Sequence, residues 1–138
     1  KIIDYLAIRE WLRAAKERYR IKRIFCDPFN ARHLLSELSL DGFSPDILVE
    51  HPQFASHVDA PIRETTRLIY AGKLYHPIHP PLTACVMNAQ VKVDSAGRQR
   101  FDRRYTTGPI DLAVAMIMAV GHVHQVDAVQ APIGIQLI

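Results

Sequence analysis

The apolar positions near the start of the chain predict a helix followed by a short strand. Five of them recur at helical spacing with charged residues between them, namely Tyr5, Ile8, Leu12, Ala15 and Tyr19. This spacing places them on one face of an amphipathic helix, which Asp4 can cap. The next apolar run predicts a strand over Lys22–Cys26, and Pro28 stops it because proline cannot donate to a sheet ladder.

The alternation of helical and extended patterns continues in the next segment. Asn30 is a suitable cap for a second helix, whose apolar stripe ends at Asp41-Gly42. The stripe consists of Ala31, Leu34, Leu35 and Leu38. A second short strand follows at Ile47–Val49. A helix between two short strands favours a parallel pair with a helical crossover.

The second half of the chain predicts three more helices and a hairpin. The first helix opens at Asp59-Ala60-Pro61 and ends at Gly72, and an extended connector covers His76–Pro81. A short helix at Leu82–Asn88 is followed by a hairpin that pairs Gln90–Asp94 with Arg98–Phe101. The last helix runs from Pro109 to about His122. No interpretable period is found in residues 125–138. The pattern therefore predicts one α/β domain over residues 1–138.

The last predicted helix is the least polar part of the chain, and it begins with an acid. Every residue from Leu112 to Val120 is apolar, which predicts a buried helix that packs on both sides, with the Asp111 carboxylate at its edge. A desolvated carboxylate needs a cation, hydrogen-bond donors or a raised pKa. Asp111 is therefore a candidate ligand for a metal ion, with helix capping as the alternative role.

A second acid occupies a comparable position at the end of the first strand. Asp27 lies at the carboxyl end of the predicted strand, which is the edge where open α/β sheets usually place their chemistry. Two carboxylates on separate elements indicate a divalent-metal site. The alternative for Asp27 is a turn-forming role before Pro28.

Composition and charge add two expectations. The chain has 138 residues, 49% hydrophobic and 22% charged, as expected for a globular protein, and its longest apolar run is far shorter than the ~20 residues of a membrane span. We therefore expect no membrane association and a cytoplasmic location, with Cys26 and Cys85 reduced. The net charge of +3 is concentrated in two clusters. One comprises Arg13, Lys16, Arg18, Arg20, Lys22 and Arg23, and the other comprises Arg98, Arg100, Arg103 and Arg104.

The histidines raise an alternative metal hypothesis. His76 and His79 are three residues apart, and His122 and His124 are two apart, with Cys85 between the pairs. No Cys-x-x-Cys motif accompanies them, and a two-residue step on a helix turns side chains to different faces. Structural zinc is accordingly the less favoured interpretation.

Four motifs, in this order, resemble the nuclease domain of the large terminase subunit of tailed bacteriophages. They are Ile24-Phe25-Cys26-Asp27-Pro28-Phe29-Asn30-Ala31, Gly72-Lys73-Leu74-Tyr75-His76, the single residue Asn88, and the alanine-rich segment from Gly108 to Ala119 that contains Ile110-Asp111. The similarity covers nearly the whole chain from Asp4 to His122.

The resemblance implies a ribonuclease H-like fold, with a mixed sheet flanked by helices, and an endonuclease that cuts double-stranded viral DNA during genome packaging. It implies Asp27 and Asp111 as catalytic ligands of two Mg²⁺ or Mn²⁺ ions. It also implies a DNA-facing set made of Arg98, Arg100, Arg103, Arg104 and His76. Expected partners are double-stranded DNA, the terminase ATPase region or small subunit, and the portal, in the cytoplasm of a bacterial host.

The chain departs from the family pattern in three respects. The opening strand that carries the first acid of the family is missing upstream of Asp4, and no Gly-x-x-x-x-Gly-Lys-Ser/Thr phosphate loop occurs. Arg103 or Arg104 replaces a lysine that is usual in the family. We therefore expect the C-terminal piece of a nuclease domain that cuts DNA poorly by itself. A non-catalytic DNA-binding or assembly module is the alternative function.

Overall fold

The computed structural model describes residues 3–29 and 31–123, and the chain divides into two compact units, 1–52 and 53–138. The first unit contains α1 (Tyr5–Arg18), β1 (Ile24–Cys26), α2 (Arg32–Leu40), a 3-10 turn (Pro45–Ile47) and β2 (Leu48–Glu50). The second contains α3 (Ala55–Tyr70), α4 (Pro80–Asn88), β3 (Val91–Val93), β4 (Gln99–Phe101) and α5 (Asp111–Val120). The single-domain organisation stays a prediction.

The predicted parallel pair with a helical crossover is confirmed in the first unit. Strands β1 and β2 are parallel, with Ile24 opposite Leu48, and α2 connects them. Their core consists of Leu34, Leu38 and Phe43, against which residues of both strands pack. Apolar side chains from every element of this unit thus meet in one cluster.

The first helix forms as predicted but buries little of its apolar face. The Asp4 carboxylate accepts the backbone N–H of Ala7 at 3.1 Å, so the predicted cap is confirmed. Of the five apolar positions only Ala15 is buried, while Tyr19 remains 48% exposed. The predicted cap of α2, Asn30, lies outside the described residues, and α2 begins without a side-chain cap.

Two helices in the second unit begin earlier than predicted, because one contains a proline in its interior and the other has prolines in its first turn. Helix α3 begins at Ala55, four residues before Asp59, so that Pro61 lies inside it. Helix α4 begins at Pro80, and its two prolines occupy the first turn, where no backbone N–H is needed. The His79 ring caps this turn by accepting the N–H of Leu82 at 3.1 Å.

The hairpin is confirmed, with Val91 opposite Phe101 and Gly97 at a φ of 77° in its turn. The expectation of one mixed sheet is corrected, because the described residues form two separate two-stranded sheets, one parallel and one antiparallel. Each strand has only three residues in its ladder. The α/β class is confirmed at this coarser level.

The last helix packs against two neighbouring helices, but it is less buried than its apolar sequence predicts. Helix α5 packs against α3 and α4 and buries Ala113, Met118 and Val120. Asp111, Ala115 and Ala119 are exposed, together with Leu112 at 39%. Two of these exposed residues are alanines, whose small side chains cost little to expose. Among the described helices none is long and apolar enough to span a membrane.

Candidate functional site

Asp27 is half-buried at the carboxyl end of β1, where the sequence placed it. One of its carboxylate oxygens accepts the backbone N–H of Phe29 at 3.1 Å, which is the turn-forming role considered as the alternative. The described residues offer no partner to its second oxygen. Asp27 therefore combines a local turn contact with one oxygen that is free to bind a cation.

Asp111 is the first residue of α5, and its side chain is exposed. This corrects the expectation of a carboxylate at a buried edge, so no desolvation penalty is associated with it. The residues that the structure describes provide it with no hydrogen bond and no ion pair. The carboxylate is held near the positive end of the helix dipole, with both oxygens open to a ligand.

Asn88 fixes the segment that leads into α5, a role that the sequence prediction of the site did not include. Its amide donates to the carbonyl of Pro109 at 3.2 Å, and its carbonyl oxygen accepts the Thr107 hydroxyl at 3.0 Å. A Cβ atom at Gly108 would lie 2.6 Å from the amide nitrogen, so a side chain at this position would push the Asn88 amide out of place. The signal in the sequence was Gly108-Pro109 directly before Ile110-Asp111.

The hairpin presents a basic surface that is held in place by acids. Asp102 is buried and forms an ion pair with Lys92 at 2.9 Å, and the hydrogen bond from Lys92 lowers the pKa of the carboxyl. Arg98 is occupied by Asp94 at 3.0 Å. The side chains of Arg100, Arg103 and Arg104 are exposed, and no ion pair to a described residue occupies them. Three of the four predicted arginines are therefore available for phosphate contacts.

Helix α3 anchors this hairpin through Asp59. One carboxylate oxygen of Asp59 accepts the backbone N–H of Gln99 at 2.6 Å and the Nε of Arg63 at 2.9 Å. Arg63 also donates to the carbonyl of Gly97 at 2.9 Å. The start of β4 and the turn before it are thereby fixed to one helix, which holds the strand that carries Arg100.

His76 and the first turn of α5 line the same groove. His76 lines this apolar groove of about 250 Å³ together with Leu112, the residue that follows Asp111. The Nδ1 atom of His76 is 2.8 Å from the carbonyl oxygen of Pro77. Because a carbonyl oxygen only accepts, Nδ1 is the donor in this contact, and in the neutral ring Nε2 is an acceptor.

The donor chemistry fits a hard divalent cation, but the number of ligands is incomplete. Asp27 and Asp111 both offer free carboxylate oxygens, which suit Mg²⁺ or Mn²⁺. Within residues 3–29 and 31–123, no three His, Cys, Asp or Glu side chains are grouped so that they could hold one ion. The same finding leaves the zinc hypothesis without a ligand cluster in that part of the chain, and His124 lies outside it.

Comparison with known proteins identifies the family. A sequence model described as the terminase large subunit, endonuclease domain, matches residues 2–127. The terminase large subunit of Enterobacteria phage HK97 is 39% identical over 74 residues, which are 54% of this chain and 15% of that protein. Protein YmfN of Escherichia coli K12 is 27% identical over 121 residues, or 86% of this chain and 26% of YmfN. The chain thus spans about a quarter or less of these relatives.

Two solved structures share the fold. The crystal structure of the HK97 bacteriophage large terminase superposes with a TM-score of 0.78 at 28% identity, covering 88% of this chain and 25% of that one. The large terminase nuclease from the thermophilic phage G20c gives a TM-score of 0.66 at 18% identity, covering 88% and 63%. Since the family model covers most of the sequence, this chain belongs to the family of terminase large subunit endonuclease domains.

Proposed function

We propose that this chain is the metal-dependent endonuclease part of a phage DNA packaging terminase, with a ribonuclease H-like fold and double-stranded viral DNA as its substrate. The match of the family model to residues 2–127 is the observation that carries the proposal. The exposed, unengaged carboxylate of Asp111 supports it, because a metal ligand must be open to its ion.

Asp27 and Asp111 are the residues proposed to hold Mg²⁺ or Mn²⁺. When bound, two such ions supply a hydroxide at neutral pH and neutralise the charge on the leaving oxygen of a phosphodiester. Each aspartate contributes a carboxylate oxygen that is not used within the described residues. Asn88 keeps the start of α5 in place through its contacts with Thr107 and Pro109.

The hairpin and His76 form the proposed DNA-facing set. Arg100, Arg103 and Arg104 carry free guanidinium groups, which match phosphate oxygens in shape and charge. Arg98 is paired with Asp94, so we propose that it orders the hairpin turn and adds to the positive field. His76 faces the groove beside α5 with Nε2 as an acceptor when the ring is neutral.

The packaging context is also part of the proposal. The terminase ATPase region or small subunit and the portal are the expected partners, and the cytoplasm of a bacterial host is the expected location. The relative in Escherichia coli K12 supports an origin in a prophage as well as in a phage. We propose that the isolated chain is a weak nuclease, because only two of the acids that the family resemblance implies, Asp27 and Asp111, are identified in it.

A nicking assay on supercoiled plasmid DNA with Mn²⁺ tests the two acids. We expect Asp27→Asn and Asp111→Asn each to reduce the cleavage rate by about 100-fold or more, because the amide keeps the shape but loses the charge that holds the ion. Glu10→Gln removes an equal charge from an exposed position of α1 and should cut like the unmodified chain. Undiminished cleavage by either aspartate variant would disprove its assignment.

A non-catalytic DNA-binding or assembly module is the second candidate function. The exposed side chains of Arg100, Arg103 and Arg104 favour it, because they make no ion pair with a described residue and phosphate binding needs no metal ion. Such a module would show no metal-dependent cleavage, and its DNA affinity would be the same in Asp27→Asn and Asp111→Asn. It would lose affinity only when Arg100 and Arg104 are changed to glutamine.

A further inference from the structure

A second basic surface lies in the first unit, and none of its residues belongs to the proposed site. It consists of the exposed cations Arg13, Arg18, Arg20, Lys22 and Arg23, at the end of α1 and in the segment that leads to β1. We call these five residues the α1–β1 basic surface. Between Arg13 and Arg23 the sequence holds six cations and one acid, Glu17.

The other cations of α1 are used to hold the unit together, which sets the five apart. Arg9 forms ion pairs with Glu37 and Asp41 of the α2 region. Lys16 donates to the carbonyl of Gly42 at 2.8 Å and lies 4.7 Å from the centre of the Phe43 ring. The side chains of the α1–β1 basic surface make no ion pair with any described residue. Next to the stronger effect of the Arg9 hydrogen bond, the charge of Arg13 also lowers the pKa of Asp41. Folding of this unit therefore leaves unexplained the charges of the remaining four residues, Arg18, Arg20, Lys22 and Arg23.

The backbone holds this surface in a defined place. Ile21 packs against the Leu34, Leu38 and Phe43 core, so the segment between α1 and β1 is anchored at its centre. Side chains alternate in direction along extended chain, and Arg20 and Lys22 on either side of Ile21 are accordingly exposed. The charges are thus presented by a fixed segment rather than by a free terminus.

The geometry points to a polyanionic ligand, and we propose that the α1–β1 basic surface binds the phosphate backbone of double-stranded DNA as a second contact outside the cleavage site. Protein interfaces have cores depleted of charged residues, whereas phosphate surfaces are rich in arginine and lysine with free donors. This inference rests on the proposed function, because it assumes that duplex DNA is the substrate.

Binding of a short fluorescent DNA duplex to the full chain, measured by anisotropy in EDTA, tests the proposal. The variant Arg20→Gln/Lys22→Gln is compared with Arg32→Gln/Arg67→Gln, which loses the same net charge at exposed arginines already paired with acids. Each lost phosphate contact makes the plot of log affinity against log salt concentration less steep by ~0.9. The slope for Arg20→Gln/Lys22→Gln should therefore be less steep by about 2, measured between about 50 and about 200 mM salt. The control should leave the slope unchanged.

The outcomes separate this inference from the proposed function. Equal slopes for the two variants, or unaltered binding by Arg20→Gln/Lys22→Gln, would overturn the inference. Plasmid nicking by the unmodified chain would still support the proposed nuclease function in that case. Competition by polyglutamate as strong as that by DNA at equal charge would indicate an acidic protein as the ligand and would also overturn it. A chain that neither binds nor nicks DNA would refute both.

Discussion

At the scale of single residues, this protein shows how one side chain can set the position of another. The Asp111 side chain makes no hydrogen bond or ion pair with the described residues, so its location depends on the chain before it. That chain is held by Asn88, which contacts both Thr107 and Pro109. A displacement of a catalytic group by about 1 Å can lower the reaction rate strongly. A residue that fixes the backbone next to a metal ligand can therefore affect the cleavage rate as much as the ligand itself.

Asn88→Ala should reduce cleavage of plasmid DNA in Mn²⁺ by on the order of ten-fold, because the start of α5 loses both side-chain anchors. Each lost hydrogen bond also costs about 1 kcal/mol of folding free energy, which thermal unfolding measures. Met87→Ala changes the neighbouring residue of α4, whose side chain is 77% exposed, and serves as the control. A chain with the Asn88 change that cuts at the full rate would show that Asn88 is only structural.

At the scale of elements, the packing of α3 against α5 depends on a glycine facing a proline. A Cβ atom at Gly121 would lie 2.4 Å from the Cα of Pro61. Backbone atoms cannot move aside as a flexible side chain can, so this approach is possible only without a side chain. The contact joins the end of α5 to the middle of α3 and thereby orients the helix that carries Asp111.

Gly121→Ala should destabilise the fold by about 1–3 kcal/mol, because the added methyl group forces α3 and α5 apart. The midpoint of urea unfolding measures this loss. Ala119→Ser alters an exposed position of the same helix and should leave the midpoint nearly unchanged. Equal midpoints for Gly121→Ala and the unmodified chain would contradict the close packing of the two helices.

At the scale of the whole molecule, ion pairs and hydrogen bonds to aspartates contribute to both units. Arg9 lowers the pKa of Asp41 in the first unit. In the second unit the backbone N–H of Arg98 lowers the pKa of Asp94, and Lys92 lowers that of Asp102. Each of these carboxylates binds its proton less readily in the folded chain than in the unfolded one. Their contribution to stability is fully present above the ordinary carboxyl pKa of about 4 and is lost as the pH falls through the lowered values.

Urea unfolding should therefore give a constant midpoint from about pH 7 to about pH 5 and a falling midpoint below about pH 4. Lys92→Met removes the partner of Asp102, so it should weaken the acid-dependent part of the curve. Arg67→Met removes a pair with Glu64 on the exposed face of α3 and is the matched control. A steeper acid dependence in the Lys92 variant would contradict the assigned cause of the pKa shift.

The sequence alone determined the local elements of this protein and the family to which it belongs. Helical spacing, turn glycines and the Asp4 cap predicted α1, the hairpin and the parallel pair, because these depend on contacts between residues close in the chain or on a regular period. The motifs around Asp27 and Asp111 identified the terminase endonuclease family for the same reason, since each is a short run of residues.

Only the tertiary structure decided which side chains are covered and which are engaged. It exposed Asp111 and one side of α5, although the uniform apolar sequence predicted complete burial. It paired Arg98 with Asp94 and left Arg100 without an ion pair to any described residue, although the two look alike in the sequence. It also placed Pro61 inside α3 and Gly121 against it. Burial and pairing depend on residues far apart in the chain, and no local pattern specifies how these are brought together.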